Sequence, residues 1–150
     1  AAERPAATVV LADISNDALN LARENAAKLG ISDVGFIASD LFSTLDGDFD
    51  VIVANLPYVP LLERDSLSRE VRHDPGLALF GGADGLDILR RAIPAAFARL
   101  RTGGLLALEI GHDQASQVAA LLEQSGFAEI TIHPDLSGIP RFPFARRPQS

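Results

Sequence analysis

Short β-branched apolar runs alternate with stretches of helical period along this chain, and few architectures accommodate that order. Strands joined by crossover helices give a parallel sheet, whereas hairpins would place strands next to one another in sequence. Thr8-Val9-Val10-Leu11-Ala12 is continuously apolar and ends at Asp13, as a parallel strand covered on both faces does. Ser15 is then an N-cap, Asp17 puts a carboxylate in the first turn, and Ala18, Leu19, Ala22, Ala26 and Leu29 recur at helical spacing until Gly30 ends the helix. A strand at Val34–Ala38 leads into the loop Ser39-Asp40-Leu41-Phe42, and a second buried strand, Phe49–Ala54, delivers Asn55-Leu56-Pro57-Tyr58 at its carboxyl end. Residues 56–83 form a connection punctuated by Pro57, Pro60, Pro75, Gly76, Gly81 and Gly82, with a helical turn near Arg64–Arg72; connections of that length in compact domains usually carry function. Asp84–Leu100 reads as helical, with Pro94 kinking it or starting a new segment and Thr102-Gly103-Gly104 ending it. A third buried strand follows at Leu105–Ile110, then a helix at Gln114–Gln124 ended by Gly126, a strand at Phe127–Ile132, a last strand near Phe142–Ala145, and a polar tail from Arg146. The expected class is α/β, a mostly parallel doubly wound sheet.

Composition bounds the chemistry. A length of 150 residues with 47% hydrophobic content fits one globular domain, residues 1–150, and excludes disordered and collagen-like classes. With no cysteine, disulfide frameworks, zinc–thiolate sites and thiol nucleophiles are out, which fits a reducing compartment such as the cytoplasm. Thirteen basic against twenty acidic residues give 13 − 20 = −7, a balance that argues against a broad nucleic-acid surface, since neutralising phosphates takes clustered Lys and Arg. No apolar run reaches the roughly 20 residues of a membrane span. The chain has no methionine and opens Ala1-Ala2-Glu3-Arg4, as an internal stretch of a longer product would.

In open parallel sheets ligands bind outside the carboxyl ends of the strands. Asp13 stands at such an end, placed to accept from both hydroxyls of a ribose or to cap the turn that follows. Asp40, after the next strand, either accepts from an exocyclic amine or forms a turn. Asn55-Leu56-Pro57-Tyr58 is the most specific of the three: an amide, a rigid bend and an aromatic ring at one strand end. Chemistry at a planar nitrogen needs these parts, because a delocalised lone pair must be held by acceptors while its flat group lies on a stacking face. The rival explanation of the tetrapeptide alone is a strand exit broken by proline with a buried tyrosine; standing third after Asp13 and Asp40, in this order, the functional reading prevails.

With these residues in place the sequence resembles the class I S-adenosylmethionine-dependent methyltransferases, and within them the release-factor glutamine methyltransferases. The resemblance covers nearly the whole chain. It is carried by Ala12–Ser15, Ala22–Ala26, Ser39–Phe42, Phe49–Pro60, Glu70-Val71-Arg72, Gly81–Leu86, Gly103–Gly111 and Asp113-Gln114. The asparagine motif is shared with adenine methyltransferases; Gly81–Leu86 and Glu109-Ile110-Gly111 at these spacings single out the glutamine branch. The resemblance implies a Rossmann-like sheet with an antiparallel C-terminal strand and S-adenosylmethionine as cofactor. Asp13 would bind its ribose, Ile14 would lie against the adenine, Asp40 and Leu41 would contact the adenine ring, and Asn55 would border the cofactor. Asn55, the Leu56 carbonyl, Pro57 and Tyr58 would form the substrate site, with Asn55 and Tyr58 in the catalytic role. The implied reaction is methyl transfer to a glutamine side-chain amide in a protein partner, by family default a peptide chain release factor, while close relatives methylate a ribosomal protein.

Two departures stand out. Leu56 replaces the proline of the usual Asn-Pro-Pro-Tyr, at a position where the family uses a backbone carbonyl, and Asp74-Pro75 replaces Glu-Pro. Asn-Leu-Pro-Tyr is also the form found in ribosomal-RNA adenine dimethyltransferases, which keeps nucleic-acid adenine methylation as the alternative reaction and a non-catalytic binding fragment as a third. Against a nucleic acid stand the charge of −7 and the family-like segment from Glu70 to Leu86; Arg141, Arg146 and Arg147 are expected to form a solvated tail. His73, His112 and His133 share no metal-ligand spacing with carboxylates, so no metal site is expected. Glu109 is either an acceptor behind the site or a satisfied polar group. The resemblance implies that the family's glycine-rich loop and first strand, and its separate N-terminal recognition domain, would precede Ala1, since there is no glycine before Gly30; the chain is expected to be a fragment, or to follow residues not included in it.

Overall fold

The computed structural model describes residues 7–62 and 79–149. These fall into two compact units divided after Gly47. The first holds β1 (Val9–Asp13), α1 (Asn16–Lys28) and β2 (Val34–Ala38); the second holds β3 (Phe49–Asn55), α2 (Asp87–Arg99), β4 (Leu100–Glu109), α3 (Ala115–Gln124), β5 (Ala128–Pro134) and β6 (Pro140–Arg146).

In the first unit β1 and β2 pair in parallel, from Val9 opposite Val34 to Asp13 opposite Ala38. The helix between them starts where its sequence dictates: the Ser15 hydroxyl accepts from the Ala18 N–H at 3.3 Å, satisfying a donor that the first turn leaves open. It ends in a Schellman motif, with Gly30 N–H on the Ala27 carbonyl and Ile31 N–H on the Ala26 carbonyl. Gly30 sits at φ +67°, a conformation that a Cβ would penalise. Only Leu19 of α1 is buried, and it anchors the helix. Coverage of β1 on both faces, expected from its unbroken apolar run, is not observed: Val10 and Leu11, whose side chains point to opposite faces, are both exposed.

The second unit is a four-stranded sheet in the order β3-β4-β6-β5. β3 and β4 are parallel, and β6 runs antiparallel to both its neighbours, so the sheet has a parallel core with an antiparallel C-terminal strand. Leu89, Ile93, Leu100, Leu106, Ile110, Val118 and Leu122 are fully or almost fully buried and form the core, where each large aliphatic side chain contributes roughly 1.5–3 kcal/mol on leaving water. β3 is not the doubly covered strand its sequence suggests, since Ile52 is buried but Val51 and Val53 are exposed.

Two further expectations change. Helix α2 runs as one element through Pro94; that residue lies on the exposed side, where the carbonyl deprived of its partner can be hydrated. Thr102-Gly103-Gly104 does not end the helix but lies inside β4, at a register irregularity opposite Phe49–Val51. The segment stays in the sheet because Gly103 N–H donates to the Arg147 carbonyl at 2.9 Å and Arg147 N–H to the Gly104 carbonyl at 3.0 Å. Those partners lie far along the chain and leave no local signal.

Candidate active site

The carboxyl ends of β1 and β2 place Asp13, Ile14, Asp40 and Leu41 on one edge of the first unit. Ser39 N–H donates to the Asp13 carbonyl at 3.0 Å, which locks the two strand ends together. Asp13 Oδ1 accepts from Ser15 N–H at 2.8 Å, so this carboxylate shapes the turn into α1 with one oxygen, as the simpler of its two sequence readings requires. Ile14 beside it is 58% exposed, an apolar side chain facing solvent at a strand end. Leu41 adopts φ +53°; a branched side chain in the left-handed region costs of the order of 1–3 kcal/mol and is sustained only by its surroundings. Those surroundings centre on Ser39, a buried polar residue to which sequence reasoning gave no role. Its hydroxyl accepts from Thr44 N–H at 3.2 Å, while the Thr44 hydroxyl donates to the Ala38 carbonyl at 2.8 Å. The loop is therefore held by its own side chains.

In the second unit Asn55 closes β3 directly opposite Glu109 at the end of β4. Its side chain is exposed, whereas the following residues 56–60 are half-buried and held on several sides. A parallel bridge joins Val59 and Phe80, with Val59 N–H on the Leu79 carbonyl at 2.9 Å, Gly81 N–H on the Val59 carbonyl at 3.0 Å and Leu61 N–H on the Gly82 carbonyl at 2.9 Å. The glycines make this approach possible. A Cβ at Gly85, which sits at φ +78°, would collide with the Tyr58 carbonyl oxygen, and one at Gly81 would lie 2.6 Å from the Pro57 carbonyl oxygen. The Gly81–Leu86 block named from the sequence is thus the backbone cradle of the asparagine motif.

Gln114, Glu109 and Arg141 complete the arrangement, Glu109 in the acceptor role that its position at a strand end suggested. Gln114, 3% exposed, donates from Nε2 to the Tyr58 carbonyl at 2.9 Å and accepts at Oε1 from Gly111 N–H at 2.9 Å. Glu109 accepts at Oε1 from the Tyr58 hydroxyl at 3.5 Å. Arg141 overturns the expectation of a solvated tail: its Nη2 donates to the Tyr58 hydroxyl at 2.7 Å, its Nε to the Ile110 carbonyl at 3.1 Å, and its guanidinium carbon lies 5.4 Å from the Tyr58 ring centroid. Arg147 is not tail-like either. It donates to the Phe97 carbonyl at 3.1 Å and the Leu100 carbonyl at 2.6 Å, closing the end of α2, and Arg146 lies 3.5 Å from Glu129. The signal available for Arg141 was a charged residue inside the apolar alternation Ile139-Pro140-Arg141-Phe142, which composition near a terminus outweighed.

His112 lies in an exposed turn before α3, and His133 packs against Phe144 with ring centroids 5.0 Å apart. The helical turn near Arg64–Arg72, His73, Glu70-Val71-Arg72 and Asp74-Pro75 lie outside the described residues.

Comparison with known proteins gives this geometry a context. Residues 1–73 match the family described as "Methyltransferase domain". The release factor glutamine methyltransferase of Deinococcus radiodurans is 46% identical over 143 residues, which is 95% of this chain and 51% of that protein; that of Bradyrhizobium diazoefficiens is 46% identical over 148 residues, 95% of this chain and 49% of that protein. The chain spans about half the length of the curated relatives it matches. Among solved structures, a ribosomal protein L11 methylase from Lactobacillus delbrueckii subsp. bulgaricus superposes with a TM-score of 0.67 at 23% identity, covering 93% of this chain and 58% of that one. A methyltransferase from Pyrococcus furiosus does so with a TM-score of 0.69 at 17% identity, covering 94% and 63%. These two establish the Rossmann-like fold. By sequence the chain is similar to release factor glutamine methyltransferases over 95% of its length, with a methyltransferase-domain match over residues 1–73, and by fold it is similar to Rossmann-like methyltransferases.

Proposed function

We propose that the protein carrying this chain transfers a methyl group from S-adenosylmethionine to the side-chain amide nitrogen of a glutamine in a protein substrate, a peptide chain release factor, in the cytoplasm. The observation that supports this most is the Asn55–Tyr58 strand exit: an exposed amide at the end of β3, followed by a backbone clamped by Gly81, Gly85 and Gln114. The 46% identity to proteins named for that activity supports the same substrate class.

The first unit fits the cofactor. Asp13 has a second carboxylate oxygen beyond the one engaged by Ser15, suited to a ribose hydroxyl pair; Ile14 offers an exposed apolar side chain for the adenine; Asp40 and the strained Leu41 would line the same base. S-adenosylmethionine, when bound, would supply a methyl group activated on a sulfonium: the carbon–sulfur bond breaks to leave the thioether of S-adenosylhomocysteine as the carbon–nitrogen bond forms, and the methylated amide nitrogen gives up one proton to water. The chain's part is alignment and exclusion of water. An amide nitrogen is a poor nucleophile because its lone pair is delocalised. Asn55 Oδ1 and the Leu56 carbonyl would accept from its two N–H groups, fix its plane and stabilise the positive charge that develops there. Tyr58, braced by Arg141, would give the amide a face to lie on.

The test uses the full-length protein with tritiated S-adenosylmethionine and, separately, a release factor and ribosomal RNA. Label at a glutamine of the release factor is the expected result. Label only in the RNA would replace this reading with adenine methylation.

A further inference from the structure

We propose that Arg141 is a positioning residue for Tyr58, holding the phenol through a fork that also grips the sheet; for its kinetic consequences the inference rests on the proposed function. Arg141 lies on β6, whose backbone joins the end of β4 through Ile110 N–H on the Arg141 carbonyl at 3.0 Å. The side chain doubles back on the same residue, with Nε on the Ile110 carbonyl at 3.1 Å. That bond fixes the guanidinium plane, and the remaining Nη2 reaches the Tyr58 hydroxyl at 2.7 Å and Glu109 Oε1 at 3.4 Å.

The donors then sort themselves. A guanidinium has no acceptor, so the Tyr58 oxygen must accept from Arg141, and its own proton is left for Glu109 Oε1 at 3.5 Å. Acceptor and donor roles of the phenol are both assigned, which removes the rotational freedom of the ring's tip. With the guanidinium 5.4 Å from the ring centroid, one side of Tyr58 also rests on a cation. Gln114 meanwhile holds the Tyr58 backbone through its carbonyl. The residue is therefore fixed at both ends by side chains from different elements. Lysine could not reproduce this, because an ammonium lacks the planar fork that bonds Ile110 and Tyr58 together.

The arrangement predicts coupling. Arg141 should matter to methyl transfer chiefly through the Tyr58 hydroxyl, the ring contact being the weaker hold, so its removal should cost much less once that hydroxyl is gone. In the full-length enzyme, Arg141→Gln should lower kcat on the protein substrate by about tenfold and leave S-adenosylmethionine affinity unchanged, which also reports that the variant is folded. In a Tyr58→Phe background the same substitution should cost less than about threefold, and Arg141→Lys should fail to restore the wild-type rate. Equal effects of Arg141→Gln in both backgrounds would overturn the proposal. A second measurement does not depend on turnover. With tyrosine labelled at 13Cζ, the Tyr58 resonance, assigned by its loss in Tyr58→Phe, should be displaced in Arg141→Gln; an unmoved resonance would overturn the proposal by itself. Absence of methyl transfer by the wild type would end the proposed function but not this inference, which the resonance decides.

Discussion

Gln114 joins two strand ends through one buried amide: it donates to the Tyr58 carbonyl at 2.9 Å and accepts from Gly111 N–H at 2.9 Å. Removing it would strand a carbonyl and an N–H, each costing roughly 1–3 kcal/mol when buried without a partner. Gln114→Ala should therefore lower stability by about 2–4 kcal/mol, read as a drop in the urea midpoint. Gln114→Glu is the sharper variant. It keeps an acceptor for Gly111 but turns a second oxygen on the Tyr58 carbonyl, so it should also destabilise; a Glu variant as stable as wild type would show that the Tyr58 contact carries no weight.

Gly85 and Gly81 admit no side chain. Alanine at Gly85 meets both the strain of φ +78° and the Tyr58 carbonyl oxygen, and it must push the loop off the motif. Gly85→Ala should cost more than about 1 kcal/mol of stability and should reduce methyl transfer at saturating cofactor. Gly138, at φ +83° with nothing within 4 Å of an added Cβ, is the control: its alanine variant should show the backbone strain alone and full turnover. Equal turnover losses for the two variants would sink the cradle argument.

In the proposed function Asn55 would supply the acceptor for the reacting amide. Asn55→Ala should lower kcat by about a hundredfold or more, by analogy with loss of a preorganised polar group at a developing charge, while the S-adenosylmethionine dissociation constant changes far less. Isothermal titration and initial rates on the same preparation separate the two. A variant that lost cofactor affinity yet kept its turnover at saturation would move Asn55 out of the catalytic role.

Asp84 gives a pH signature. Its carboxylate accepts from Arg90 Nη2 at 2.6 Å and from Leu86 N–H at 3.1 Å, and the Arg90 hydrogen bond above all lowers its pKa from 3.8 to about 2. Folding thus favours the ionised form. The stabilisation is whole above 3.8 and is lost as pH falls through about 2. Asp84→Asn should lower the denaturation midpoint at neutral pH, and the gap from wild type should close as the pH approaches 2. A gap that stayed constant across that window would assign the effect to packing.

What could be read from the chain alone were the local decisions. Ser15 capping α1, Gly30 ending it, and Asn55-Leu56-Pro57-Tyr58 leaving a strand all follow from residues within a few positions of one another, because caps, turns and periodicity are short-range physics. The Gly81–Leu86 block was legible as part of the site only through its spacing from that motif. Tertiary structure alone decided the order β3-β4-β6-β5, the passage of β4 through Thr102-Gly103-Gly104, and the exposure of Val10, Leu11, Val51 and Val53. It alone also brought Glu109, Gln114 and Arg141 onto Tyr58. The Arg141–Tyr58 bond spans 83 positions, and a charged residue near a chain end carries no local mark of the partner that will hold it. Hydrogen bonds between distant strands form only once the sheet has chosen its register, so the sequence named the motif and the packing chose its supports.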